Sequence, residues 1–129
     1  MTTKTLALLA AALAAGALAP RTALAADTSL AFNVGAVSDY RYRGISQSRL
    51  RPAVQAGVDF SAANGIYLGA WASSIKWIDD AGGNANAEID LYGGWKGEVA
   101  KGLTLDVGAL TYQYPSNDLH PSANTTEVY

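Results

Sequence analysis

Charged residues in this chain recur at a spacing of two. Asp39, Arg41 and Arg43 are two apart, and so are Glu88 and Asp90. An extended chain turns successive side chains to opposite faces, so this spacing puts each set on one face. Asn33 shares the phase of Asp39. Gln55 and Asp59 share another phase, Lys96 keeps that of Glu88, and Asp106 is the acid of a later segment. The chemistry these residues suit is that of a charged wall, sorting or holding solutes by charge. Catalysis has little support. His120 is the single histidine, crowded with Ser116 and Asp118 in one polar stretch, whereas a triad is assembled by geometry from separated parts of a chain. There is no cysteine. Asp79-Asp80-Ala81-Gly82-Gly83-Asn84 lacks the spacing of a calcium loop and reads as a loop tip. No glycine-rich phosphate loop precedes a helix. The chain is therefore expected to be no enzyme, with no catalytic residue, no metal site and no cofactor.

The elements that position these residues are strands. In residues 29–42, Leu30, Phe32, Val34, Ala36, Ser38, Tyr40 and Tyr42 alternate with Asn33, Asp39 and Arg41. Val54, Ala56, Val58 and Phe60 alternate with Gln55, Gly57 and Asp59. Residues 66–74, 87–96 and 103–110 continue the pattern, the last leading to Tyr112 and Tyr114, and a sixth strand starts near Thr125. Connections alternate between long and short. Asn64-Gly65 marks a tight hairpin between the second and third strands.

The N-terminal residues read differently. Lys4 precedes an apolar run over residues 6–19, and Ala23-Leu24-Ala25 follows as a small-x-small site. The run is shorter than the roughly 20 residues a membrane-spanning helix takes. Residues 1–25 are expected to be a cleaved signal peptide and residues 26–129 a single domain. Without Lys4 and Arg21, seven basic residues face eleven acidic ones, and the net charge is near −4. That balance argues against nucleic-acid binding. An exported domain of this size without disulfides needs another source of stability, and a bilayer is one.

These features together predict an all-β fold: an antiparallel transmembrane β-barrel with about six strands present. Short turns on one side and long loops on the other match outer-membrane barrels, and so do flanking aromatics. Tyr40, Tyr42, Phe60, Tyr67, Trp71, Trp95 and Tyr112 are the expected membrane-interface aromatics. A soluble barrel or sandwich shares the same alternation; loop asymmetry, aromatics and the leader favour the membrane.

Residues 33–48, with the run Ser38-Asp39-Tyr40-Arg41-Tyr42-Arg43-Gly44, resemble the opening of the TorF-type porins, a bacterial outer-membrane family of poorly known function. The resemblance continues through residues 52–55, 65–73, 88–95 and 112–115 to Thr126-Glu127-Val128-Tyr129. It implies one barrel in the outer membrane of a Gram-negative bacterium, contacting outer-membrane lipid and passing small solutes. The expected lumen lining is Asn33, Asp39, Arg41, Arg43, Gln55, Asp59, Glu88, Asp90, Lys96 and Asp106. Facing charges of this kind also suit a salt-bridged plug, in a non-conducting barrel that stabilises the membrane or binds ligands with its loops. Single-chain outer-membrane barrels start at eight strands. Six strands therefore lead us to expect half of a larger barrel, or self-assembly of several copies.

Overall fold

The structure is a computed structural model and describes residues 28–129. The expected leader, residues 1–25, lies outside the described residues. The strands are β1 (Ser29–Val37), β2 (Arg41–Tyr42), β3 (Ile45–Ser46), β4 (Ala53–Ser61), β5 (Ile66–Ser74), β6 (Ala87–Ala100), β7 (Leu103–Gln113) and β8 (Thr125–Val128). One short helix, α1 (Trp77–Asp80), precedes β6. Six strands form one antiparallel sheet in the order β1-β4-β5-β6-β7-β8, and β2 pairs with β3 in a separate hairpin. The sheet is open. β1 and β8 are its edges, so closure into a barrel is not part of the described fold.

The register explains the period of two. Directly opposed residues of an antiparallel pair share a face. Phe32 opposes Val58, Val58 opposes Ala70, and Ala70 opposes Leu91. Leu30, Phe60 and Leu68 make a parallel row nearer the short turns. This face carries no ionisable residue on any of the six strands, and its large side chains are open to the surroundings. Phe32 is 75% exposed and Val34 86%. The opposite face holds the charges and is more covered.

Two turns at the short end are set by backbone geometry. Gly65, at φ 90°, closes the β4–β5 turn, with its N–H donating to Ala62 O at 3.0 Å. A Cβ there would also strike Lys96 O. Gly102, at φ 78°, closes the β6–β7 turn, next to a register shift between Glu98 and Ala100.

The expected first strand, 29–42, is corrected: β1 stops at Val37. The chain bends at Ser38 and Asp39, and the β2–β3 hairpin then turns through Arg43 and Gly44, both at positive φ. Two such residues make the tight turn whose twist suits a two-residue hairpin. Asp39, Arg41 and Arg43 therefore leave the sheet and belong to the connection at the long-loop end.

The buried apolar cluster also sits at that end, not between layers. Ile75, Ile78, Ala85 and Tyr114 form it, with Tyr40, Trp77, Tyr112, Leu119 and Ala123 packed against them. The long connections thus fold into a joined cap. Lys76 N donates to Gln47 O at 2.7 Å, and Asn84 N donates to Asn117 O at 3.3 Å, tying three loops together. Arg49 and Asp80 add an exposed ion pair between two of them. No helix among the described residues is long and apolar enough to cross a membrane, which says nothing of crossing by strands.

Candidate functional site

The polar face of the sheet is the candidate site, and two groups of side chains organise it. In the short-turn half, Tyr92 Oη donates to Asp59 Oδ1 at 2.5 Å. Tyr67 Oη donates to Asp106 Oδ1 at 2.7 Å and lies 2.8 Å from Tyr129 Oη. Lys96 Nζ is 3.6 Å from Asp106 Oδ2, its directly opposed neighbour. Both members of that pair are well exposed, so the pair adds well under about 1 kcal/mol. Its value is in placing charge on this face.

Glycine makes room for the rings. Gly69 opposes Tyr92, Gly94 opposes Tyr67, and Gly57 opposes both Asn33 and Trp71. A Cβ on Gly69 would overlap the Tyr92 ring, and one on Gly94 would meet Val107 O and, at 2.6 Å, Tyr67 Oη. Gly108 stands in the same relation to Tyr129. Each ring lies over the strand beside it; Tyr92 and Tyr67 bring their hydroxyls to carboxylates further across the sheet, and Tyr129 brings its hydroxyl to that of Tyr67. Gly94→Val is therefore expected to destabilise the folded sheet by about 1–3 kcal/mol, the usual cost of forcing volume into a packed site. Gly82→Ala, at a position with open space around its Cβ but at φ 90°, is the comparison, where only backbone strain acts. Urea midpoints of the two variants compare them.

In the long-loop half the polar face meets the cap. Tyr40 Oη donates to Glu88 Oε1 at 2.6 Å, and Glu88 is only 3% exposed. Burial and that carboxylate hold the Tyr40 hydroxyl above its usual range, so it stays a donor. Asp90, two residues along the same face, has an Oδ1 buried with no hydrogen-bond partner among the described residues. Tyr40 meets Trp71 edge to face at 5.4 Å, and Tyr42 meets Tyr112 in the same manner at 6.2 Å.

Asp39 organises the bend between β1 and the hairpin. It accepts from Ser46 Oγ at 2.5 Å and Ser48 Oγ at 3.2 Å. Arg41 Nε is 2.7 Å from Asp39 Oδ2, close enough to attract but not aligned as a hydrogen bond. The Ser46 hydroxyl is the main cause holding the Asp39 carboxyl below its ordinary value; burial opposes it, and Ser48 and Arg41 assist. A depressed carboxyl stabilises the fold above its unfolded pKa, and this contribution fades as pH falls through the folded value. Acidification below the ordinary carboxylate range is thus expected to open residues 38–51 before the sheet. Faster amide exchange at Tyr40 and Gln47 reports it, and Ser46→Ala moves the opening to higher pH.

The sequence-predicted lining divides accordingly. Asn33, Gln55, Asp59, Glu88, Asp90, Lys96 and Asp106 share the polar face. Asp39, Arg41 and Arg43 lie on the bend and hairpin, for the reason given above. The expected aromatic belt divides as well. Phe60 and Trp95 lie on the apolar face near the short turns. Tyr67, Trp71 and Tyr112 are placed on the polar face, because they share the parity of Asp59 and Asp90: Trp71 opposes Asp90, which opposes Tyr112. Tyr40 and Tyr42 belong to the cap side. Tyr92, Tyr114, Trp77 and Tyr129 are site residues that the alternation alone did not select. The signal that finds Tyr92 and Tyr129 is a glycine on the neighbouring strand.

The family Gcw_chp, described as a bacterial protein of unknown function, matches residues 22–129. No curated protein and no solved structure matches the chain. The match takes in every strand of the sheet, the hairpin and the cap, so the chain belongs to the Gcw_chp family of bacterial proteins of unknown function.

Proposed function

We propose that this sheet is part of the wall of an outer-membrane β-barrel, with its apolar face to lipid and its polar face to a lumen that passes small solutes. The observation that carries this reading is the sorting of side chains. One face is exposed and free of ionisable residues across all six strands, and apolar except for Ser74, Thr111, Gln113 and Thr126 toward the long-loop end, while the carboxylates and Lys96 are on the other. An apolar surface this continuous is unusual in water and marks an interface or a membrane contact. A cationic side chain at mid-depth on a lipid face costs about 2–4 kcal/mol, so a lipid-facing wall excludes it. β1, β4 and β5 have 9 residues each and β7 has 11, the length that crosses a bilayer at a tilt.

Unpaired backbone groups at the edges of β1 and β8 would be costly in lipid. Closure therefore calls for further strands, supplied in the same chain or by other copies. The likeness to TorF-type porins, the export leader and a Gram-negative outer membrane belong to this same reading.

A second reading is favoured by the cap. Tyr40 reaches the polar face at Glu88 and packs against the cap cluster, where a closed barrel would have its long-loop mouth. A barrel closed by such a cap conducts nothing and acts through its external loops. Planar-bilayer recording on the purified protein separates the two. Discrete conductance steps support the channel; a barrel that migrates faster unboiled than boiled on gels, yet gives no steps, overturns it in favour of the capped barrel.

A further inference from the structure

We infer that the long-loop mouth of the polar face binds small organic cations, such as a protonated amine or a quaternary ammonium. The inference rests on the transmembrane reading only for which way the mouth faces; the site itself is made of described residues. A cavity of about 450 Å³ opens between the β2–β3 hairpin, the cap and strands β6 to β8. Tyr42, Trp77, Tyr112 and Tyr114 supply its aromatic walls. Trp77 and Tyr114 meet edge to face at 5.2 Å, and Tyr42 and Tyr112 do the same, so two aromatic pairs flank the space.

Glu88 and Glu127 also line it. Glu88 is almost fully buried and accepts a hydrogen bond from a neutral hydroxyl, that of Tyr40. No lysine or arginine lies within ion-pair distance of Glu88, Asp90 or Glu127 among the described residues. A buried carboxylate is normally paired, because losing its hydration is costly. The charge balance of the whole face has the same sign. Asp59, Glu88, Asp90, Glu98, Asp106 and Glu127 stand on it against Lys96 alone. A wall lined with carboxylates favours cations.

Aromatic faces with a nearby carboxylate are the chemistry that holds an alkylammonium group. The cavity already contains one example of the contact. Arg43, its one basic lining residue, places its guanidinium carbon 5.1 Å from the centre of the Tyr42 ring. Arg43 is exposed and on a tight turn, so it occupies one aromatic face and opposes a second cation by repulsion. It is the residue an incoming cation would have to displace.

The test is calorimetric titration of the whole protein, folded in detergent, with tetramethylammonium chloride at matched ionic strength. Neutral tert-butanol and sodium methanesulfonate serve as uncharged and anionic controls. Tetramethylammonium is expected to bind in preference to both. Glu88→Gln keeps an acceptor for Tyr40 and is expected to weaken binding about tenfold. Glu127→Gln, at an exposed position on β8, weakens it less, and Arg43→Gln strengthens it. Equal binding of tert-butanol, preferred binding of methanesulfonate, or an affinity unchanged in both glutamate variants would overturn the inference. Gel mobility with and without boiling is read separately on the same samples. Binding without a heat-dependent shift overturns the barrel and leaves the cation site standing; a shift without binding does the reverse.

Discussion

Arginine in place of Phe32, Val58 or Leu91 is expected to cost the membrane-folded protein about 2–4 kcal/mol at each position. These residues share the row that runs across the middle of the apolar face. The same substitution at Gln55, on the polar face of the same strand as Val58, is expected to cost well under about 1 kcal/mol. The contrast is informative because the side chains themselves suggest otherwise. Phe32 is 75% exposed and Leu91 47%. If that face met water, an exposed phenylalanine or leucine would accept arginine at little cost. Urea titration of protein folded into lipid vesicles reads both sets. A penalty on the apolar row alone supports lipid contact, and near-neutral effects throughout contradict it.

Ile78→Ala is the second large effect, and it should be local. Ile78 is fully buried and is the largest closed side chain of the cap together with Ile75. Truncating a buried isoleucine removes its transfer energy and leaves a void, about 2–5 kcal/mol in all. Here the cluster is small and joined to the sheet at one end, so the loss is expected to fall on the cap. Residues 75–86 and 115–124 should open while the strands remain paired. Limited proteolysis is expected to cut these two segments in the variant and spare the sheet. Gly83, whose Cβ would meet Ile78 Cγ2 and Asn117 O, explains why nothing larger fits at the same contact. If the second reading of function holds and the cap is the plug, Ile78→Ala also raises conductance.

Much of the sheet was legible in the sequence because a strand advertises its two faces. Val54, Ala56, Val58 and Phe60 against Gln55 and Asp59 fix both the existence and the parity of β4, and pairing then carries that parity across the sheet. Asn64-Gly65 located the first short turn for a backbone reason. The period misled where the chain stopped being a strand without losing its alternation. Residues 38–43 keep polar and aromatic positions in step, but the serine hydroxyls around Asp39 and the positive φ of Arg43 and Gly44 turn the chain away. Local side-chain to backbone geometry of that kind competes with strand pairing and leaves no periodic trace.

The aromatics were harder for a different reason. Trp71 and Tyr112 stand near strand ends, as belt residues do, yet parity puts them beside Asp90. Distance from a turn says how deep a residue is; parity says which way it faces. The rings of Tyr67 and Tyr92 needed a third kind of information, the glycines across the pairing, which exists only once the register is known. The cap, built from three connections, had no signature in any one of them.

The measurement that tests the central claim most directly is a cysteine scan of β4. The sequence has no cysteine of its own, so each single variant from Val54 to Phe60 carries one reporter. Spin labels at these positions, in lipid vesicles, are read against oxygen, which concentrates in lipid, and against a water-soluble nickel complex. The account predicts alternation: Val54, Ala56, Val58 and Phe60 accessible to oxygen, and Gln55, Gly57 and Asp59 accessible to nickel. Nickel access at Val54, Ala56, Val58 and Phe60, or no alternation along the strand, would contradict it.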